Sequence, residues 1–158
     1  MSNEKEPEYI NIPIPMRIPY AYDAGLYVSG FLQEIRDNER IYANKCPECG
    51  RFLLPPRIMC GRCSVRMGEW IEQGHKGTLV SFGVTIEPQL DVTTGENKEV
   101  PFTTAGIQLD GGAAILHFLD ETDPSKLELG MRVQAVFKPK EERQGLITDI
   151  LHFTVIGR

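Results

Sequence analysis

The spacing of apolar residues changes character along this chain. Over residues 1–19, Ile10, Ile12, Ile14, Met16 and Ile18 alternate with polar residues or proline, and Pro7, Pro13, Pro15 and Pro19 forbid a helix. Five aliphatics at period two predict an extended arm lying in a groove, either of its own domain or of a partner. Over residues 21–38 the interval lengthens. Leu26, Phe31, Leu32 and Ile35, with Tyr22 and Tyr27, fall near helical spacing, and Asp37-Asn38 supplies a stop. An amphipathic helix is predicted, packed on the segment that follows or offered to another protein. All five tyrosines fall within the first 42 residues, and tyrosine is enriched at buried interfaces because it combines area with a polar tip.

After the turn-rich stretch MGEWIEQGHKG, five runs return to period two. Residues 78–86 put Val80, Phe82, Val84 and Ile86 on one face; residues 103–109 put Ala105, Ile107 and Leu109 together. Residues 113–119 are almost wholly apolar, which predicts a strand covered on both sides. Residues 132–137 align Val133, Ala135 and Phe137, and residues 147–155 align Leu151, Phe153 and Val155. Gly111-Gly112 predicts a tight hairpin between runs two and three, and residues 138–145 a polar one between four and five. The intervening DETDPSKLELG is too short for a long helix. Five short antiparallel strands with a longer third-to-fourth connection predict a small Greek-key barrel, of which the OB-fold is the commonest kind.

Between helix and barrel the pattern is set by cysteine. All four cysteines stand as Cys46-Pro-Glu-Cys49 and Cys60-Gly-Arg-Cys63, ten residues apart, with none left over. Each CxxC knuckle lets two sulfurs from one turn reach a metal at about 2.3 Å, so the pair suits a tetrahedral zinc in a rubredoxin-like ribbon. Gly50 and Gly61 fit the tight turns around the ligands. A rubredoxin-type iron would use the same four thiolates, and a redox dithiol would use one CxxC. A closed four-thiolate site leaves no position for water or substrate, so the metal is expected to hold structure, and in a segment with little core it supplies much of the folding free energy. The chain thus divides into a proline-rich arm (1–20), a helix (21–39), a zinc ribbon (40–68) and an OB barrel (69–158), a mainly β fold with an N-terminal helix.

Charge narrows the function. The 158 residues carry a formal net charge of −5, which disfavours a general nucleic-acid binder. Between Glu39 and Arg66, however, Arg40, Lys45, Arg51, Arg57, Arg62 and Arg66 face only two acids, leaving that stretch at +4 and the remainder at −9. This local excess offsets the thiolates or serves recognition. The polar first ten residues and the lack of a run of about 20 apolar residues predict neither secretory leader nor membrane span, hence a cytoplasmic protein.

Catalytic constellations are missing: no phosphate loop, nucleophile elbow or HExxH, and no cysteine outside the metal set. His117 and His152 lie in strand patterns and read as packed or surface residues; Asp120, Glu121 and Asp123, and again Glu141 and Glu142, read as solvated loop charge. The long connection at residues 87–100 is more acidic than basic and suits contact with a protein better than with a phosphate-rich ligand. Single-strand nucleic acid would need outward aromatics over a basic groove, whereas Phe82, Phe137 and Phe153 fall on apolar faces.

A helix, then Lys45-Cys46-Pro47-Glu48-Cys49-Gly50, Pro55-Pro56-Arg57 and Cys60-Gly61-Arg62-Cys63, then Trp70, the glycine-led strand from Gly77 to Phe82, and Leu129-Gly130-Met131-Arg132-Val133 together resemble the zinc-ribbon plus OB-fold acyl-CoA-associated family. The resemblance spans roughly residues 21–156, and one member the chain resembles is the small subunit of benzoylsuccinyl-CoA thiolase. It implies a non-catalytic accessory subunit of a thiolase-like, ketoacyl-CoA synthase-like or CoA-dependent aldolase-like enzyme, whose large subunit supplies nucleophile and acid/base groups. It implies zinc as a structural cofactor, CoA or acyl-CoA as ligand of the complex, and a partner-stabilising role. On the ribbon face, Arg51, Arg57 and Arg62 would pair with partner acids or CoA phosphates. Arg57 is the first choice because Pro55-Pro56 restricts its backbone, the alternative being a structural hydrogen bond within the ribbon. The other functional class is a stand-alone ribbon/barrel module binding single-stranded nucleic acid or another ligand.

Overall fold

Helix α1 runs Gly25–Asn38 and stops where Glu39 turns left-handed (φ 57°), its amide donating back to the Glu34 and Ile35 carbonyls. The computed structural model describes residues 23–90 and 95–157; the arm at 1–20, with Tyr22, and part of the long connection, 91–94, lie outside the described residues. Phe31 and Ile35 are the buried side of α1, and they join the barrel's own core rather than the ribbon's. Leu26, which helical spacing assigns to the same face, is 85% exposed.

A three-stranded sheet follows, in the order β2-β1-β3, from β1 (Tyr42–Lys45), β2 (Phe52–Leu53) and β3 (Trp70–Glu72). The stretch read as a turn-rich link therefore contributes a strand, pairing Asn44 with Trp70. The barrel is built from β4 (Lys76–Thr85), β5 (Phe102–Leu109), β6 (Ala114–Leu119), β7 (Arg132–Phe137) and β8 (Ile150–Gly157), closed in the order β4-β5-β6-β8-β7 with Gly77 of β4 meeting Val133 of β7. This is the OB-fold. The expectation of wholly antiparallel strands fails at one seam, where β6 and β8 run parallel at Leu119 and Phe153. Five strands cannot close a ring with every neighbour antiparallel, and the longer connection after β6 places the odd pair there.

Two bulges overturn face assignments made from strict alternation. In β4, Leu79 pairs with Ile107 and Ser81 with Gly106, so Val80 is an extra residue. Leu79 and Phe82 both turn to the core, while Val80 and Ile86 are exposed. In β8, His152 opposes Val136 and Ile150 opposes Phe137, leaving Leu151 over; Ile150 and Phe153 are buried and Leu151 faces out. Residues 147–149, read as strand, form a 3₁₀ turn instead. Nor is β6 covered on both sides: Ile115, His117 and Leu119 are buried, while Leu116 is 73% exposed.

The Gly111-Gly112 hairpin is present, with the Gly112 amide donating to Leu109 O and the Leu109 amide to Ala113 O. Gln73, buried between ribbon and barrel, accepts the Ala113 amide on its side chain and the Gly111 amide on its carbonyl. The polar connection at 138–145 holds a buried cation. Arg143 donates to Lys138 O and Arg36 O and pairs with Glu39, locking the carbonyl end of α1 to the barrel. Among the described residues no helix is long and apolar enough to cross a membrane.

Candidate metal centre and ribbon surface

Strand β1 delivers Cys46 into the first knuckle. The Gly50 amide donates to Cys46 O at 3.0 Å and the Cys46 amide to Arg51 O at 2.9 Å. The second knuckle repeats this: the Ser64 amide donates to Cys60 O and the Cys60 amide to Val65 O, both at 2.9 Å. Gly50 takes φ +69°, the left-handed turn that glycine adopts without strain. Its counterpart in the second knuckle is Ser64, at φ 54°, and not Gly61, which lies in the turn without needing that conformation.

The four sulfurs, from Cys46, Cys49, Cys60 and Cys63, lie within 4.8 Å of one another, and those of Cys49 and Cys60 are 3.9 Å apart. Sulfurs around a tetrahedral zinc at about 2.3 Å stand about 3.8 Å from each other, so the cage matches the ion. The electrostatics favour one. Backbone amides, Cys63's first and then Arg62's, pull the Cys60 thiol down to about 6, while the neighbouring Cys49 sulfur, followed by burial, pushes Cys63 up to about 12. Four thiolates cannot share this space without a dication to neutralise part of their charge. Apart from the ligands Cys46 and Cys60, the ribbon's buried apolar cluster contains only Met67, with Leu53, Cys63 and Val65 packed around it.

The three ribbon arginines are placed differently. Arg51 and Arg62 flank the knuckles and Arg57 follows the two prolines; all three are exposed, and none of their guanidinium groups has a hydrogen bond or ion pair among the described residues. Arg57 is nevertheless fixed through its backbone. Buried Asn44 accepts the Arg57 amide at 3.2 Å and donates to its carbonyl at 2.6 Å. Both readings of Arg57 thus have a physical counterpart: the backbone is structural and the side chain is available.

Sequence reasoning overlooked Asn44, although asparagine is a poor strand former and its place inside β1 was a signal. It also passed over Asp149. That buried carboxylate accepts the amides of Gln144, Gly145 and Leu146 at 2.7–3.1 Å. Burial alone would raise its pKa; the three amides outweigh burial and hold it below the usual carboxylate value. His117 lies inside the barrel with its Nε2 3.3 Å from Ile147 O and its Nδ1 unpartnered, and burial keeps it neutral by pushing its pKa down.

Residues 34–67 match the rubredoxin-like zinc ribbon domain of ChsH2, and residues 70–138 match the C-terminal OB-fold domain of ChsH2. A DUF35 domain-containing scaffold protein of Methanothermobacter thermautotrophicus is 30% identical over 113 residues, covering 70% of this chain and 80% of that protein. One from Pyrococcus furiosus is 28% identical over 124 residues, covering 77% and 88%. Among solved structures, the Ltp2-ChsH2(DUF35) aldolase superposes with a TM-score of 0.59 at 21% identity, over 85% of this chain and 98% of that one. A DUF35-family protein of unknown function from Sulfolobus solfataricus superposes at 0.55 and 18%, over 84% and 85%. At these identities the two structures bear on the fold.

Proposed function

The chain belongs to the DUF35 family, and from that premise we propose that it is the non-catalytic accessory subunit of a thiolase-like acyl-CoA enzyme, stabilising the catalytic subunit and shaping its acyl-CoA site. The carrying observation is the contrast on the ribbon between a closed four-sulfur cage, which leaves no position for a reaction, and three exposed arginines beside it that are unpaired among the described residues. Relatives described as scaffold proteins, and a structural relative described with Ltp2 as an aldolase, support a subunit that works through a partner.

On this reading the chemistry is thiolysis of a 3-oxoacyl-CoA or a related C–C bond step. The partner carries the cysteine nucleophile and the second acid/base. Cys46, Cys49, Cys60 and Cys63 would hold a zinc that supplies no chemistry and fixes the ribbon. Arg57 leads the contact with partner carboxylates or CoA phosphates, because Asn44 has already ordered its backbone and less entropy is lost on binding.

Co-expression with a thiolase-like catalytic subunit from the same genome, size exclusion and a CoA-dependent cleavage assay test the reading. A stable complex whose activity collapses without this chain is expected, and Arg57→Ala should raise KM for the CoA substrate or weaken the complex about tenfold, the loss of one charge-assisted contact. Failure to associate with any such subunit, together with salt-dependent binding of single strands, would establish the free-standing module instead.

A further inference from the structure

Exposed apolar surface gathers along one path. A groove of about 540 Å³ is walled by Phe31 and Leu32 of α1, Pro55, Leu116 of β6 and the 146–147 turn. Through Val28 and Pro55 it runs into a second, of about 480 Å³, between residues 24–28 at the start of α1 and residues 55–59 of the ribbon. Leu116 and Leu26 are mostly exposed and Ile58, Met59, Leu146 and Ile147 about half exposed. Contiguous apolar surface on this scale is seldom left to water.

We propose that residues 10–18 of this same chain fill the path as an intramolecular strap. The point of entry argues for it. The undescribed N-terminal residues join the fold at Asp23, next to Ala24, which lines the second groove. There the Asp23 carboxylate accepts the Gly25 amide at 2.8 Å and Gly25 takes φ +78°, a turn that carries the chain off the helix axis. Length is sufficient: 22 residues precede Asp23, and nine extended residues span roughly 30 Å, against about 12 Å of α1 from Ala24 to Leu32.

The chemistry also matches. Ile10, Ile12, Ile14, Met16 and Ile18 share one face of an extended chain, with Asn11, Pro13, Pro15 and Arg17 on the other. Every residue lining the groove is apolar, so it offers volume and few side-chain hydrogen-bond partners, and Pro13 and Pro15 remove amides that would otherwise need them. Proline also lowers the entropy lost when such a segment is ordered. The strap needs no catalytic partner, so it stands apart from the accessory-subunit reading.

The test places the photo-cross-linker p-benzoylphenylalanine at position 14 of the full-length, zinc-loaded protein, followed by irradiation and peptide mass spectrometry. Intrachain cross-links to peptides from residues 24–32, 54–59, 114–116 or 146–147 are expected. Leu116→Glu in the same chain should cut their yield roughly tenfold, because a charge replaces a leucine contact. Leu26→Glu repeats the comparison at a second position; both side chains are outside the core, so zinc content and far-ultraviolet circular dichroism should hold. Cross-links between two copies, cross-links that form only on adding a catalytic subunit and then to it, or yields unmoved by both substitutions would overturn the strap.

Discussion

Gly30 lies against Trp70 where helix α1 crosses the ribbon: a Cβ placed on Gly30 would stand 3.1 Å from Trp70 Cη2. The indole also meets Tyr27 of the helix at 6.0 Å and Tyr42 of β1 at 5.8 Å between ring centroids. The absence of a side chain in mid-helix therefore lets helix, ribbon and indole form one aromatic joint. Gly30→Leu should destabilise the fold by about 1–3 kcal/mol, the usual cost of overpacking. Trp70 is the only tryptophan, so its emission should shift to the red in the same variant. Gly30→Ala should differ far less, since better helix propensity offsets the close contact.

Metal analysis of the purified protein should find one zinc per chain. Chelation should abolish amide-exchange protection over residues 44–68 while β5 and β7 stay protected, because the ribbon has so small a cluster without the ion and the barrel has its own core. Cys60→Ser should reproduce the ribbon loss; an iron spectrum, or equal loss of protection in the barrel, would contradict this division.

Asp149 sets a pH dependence. Its folded pKa lies below the unfolded value of about 3.9, so its stabilisation is complete above roughly pH 4 and is lost as pH falls through the lower folded value. Asp149→Asn should cost about 1–3 kcal/mol at neutral pH, and the gap to the parent in urea melts should narrow in acid. A constant gap down to the acid transition would remove Asp149 as its source.

Asn44→Ala takes away both hydrogen bonds that hold the Arg57 backbone, a loss of about 1–3 kcal/mol, the usual cost of leaving a partly buried donor and acceptor unpaired. Zinc stoichiometry should be unchanged. If Arg57 is the contact residue of the accessory subunit, Asn44→Ala should also weaken the complex while leaving the guanidinium chemically intact, which separates positioning from charge.

The four-cysteine cluster was legible because it depends on local chain geometry: two CxxC turns present their sulfurs in pairs whatever surrounds them, and the structure brings Cys46, Cys49, Cys60 and Cys63 together. The helix and the barrel strands were legible for the same reason, since burial of one face imposes a period on the residues that carry it. Alternation failed at Val80 and Leu151, each an inserted residue in a bulge. Whether a strand bulges depends on the neighbour across the ladder, which local spacing does not contain. The parallel seam between β6 and β8 is likewise a property of closing a ring of five strands. Arg143, Asp149 and Asn44 looked like ordinary polar residues of loop or strand, and only tertiary packing buries them against backbone groups more than a turn away or across the fold. The sequence by itself determined which four cysteines gather into one cluster and which segments seek a core. The apolar path over Leu116 and Leu26 arose only when helix, ribbon and barrel were set side by side, because it belongs to none of them alone.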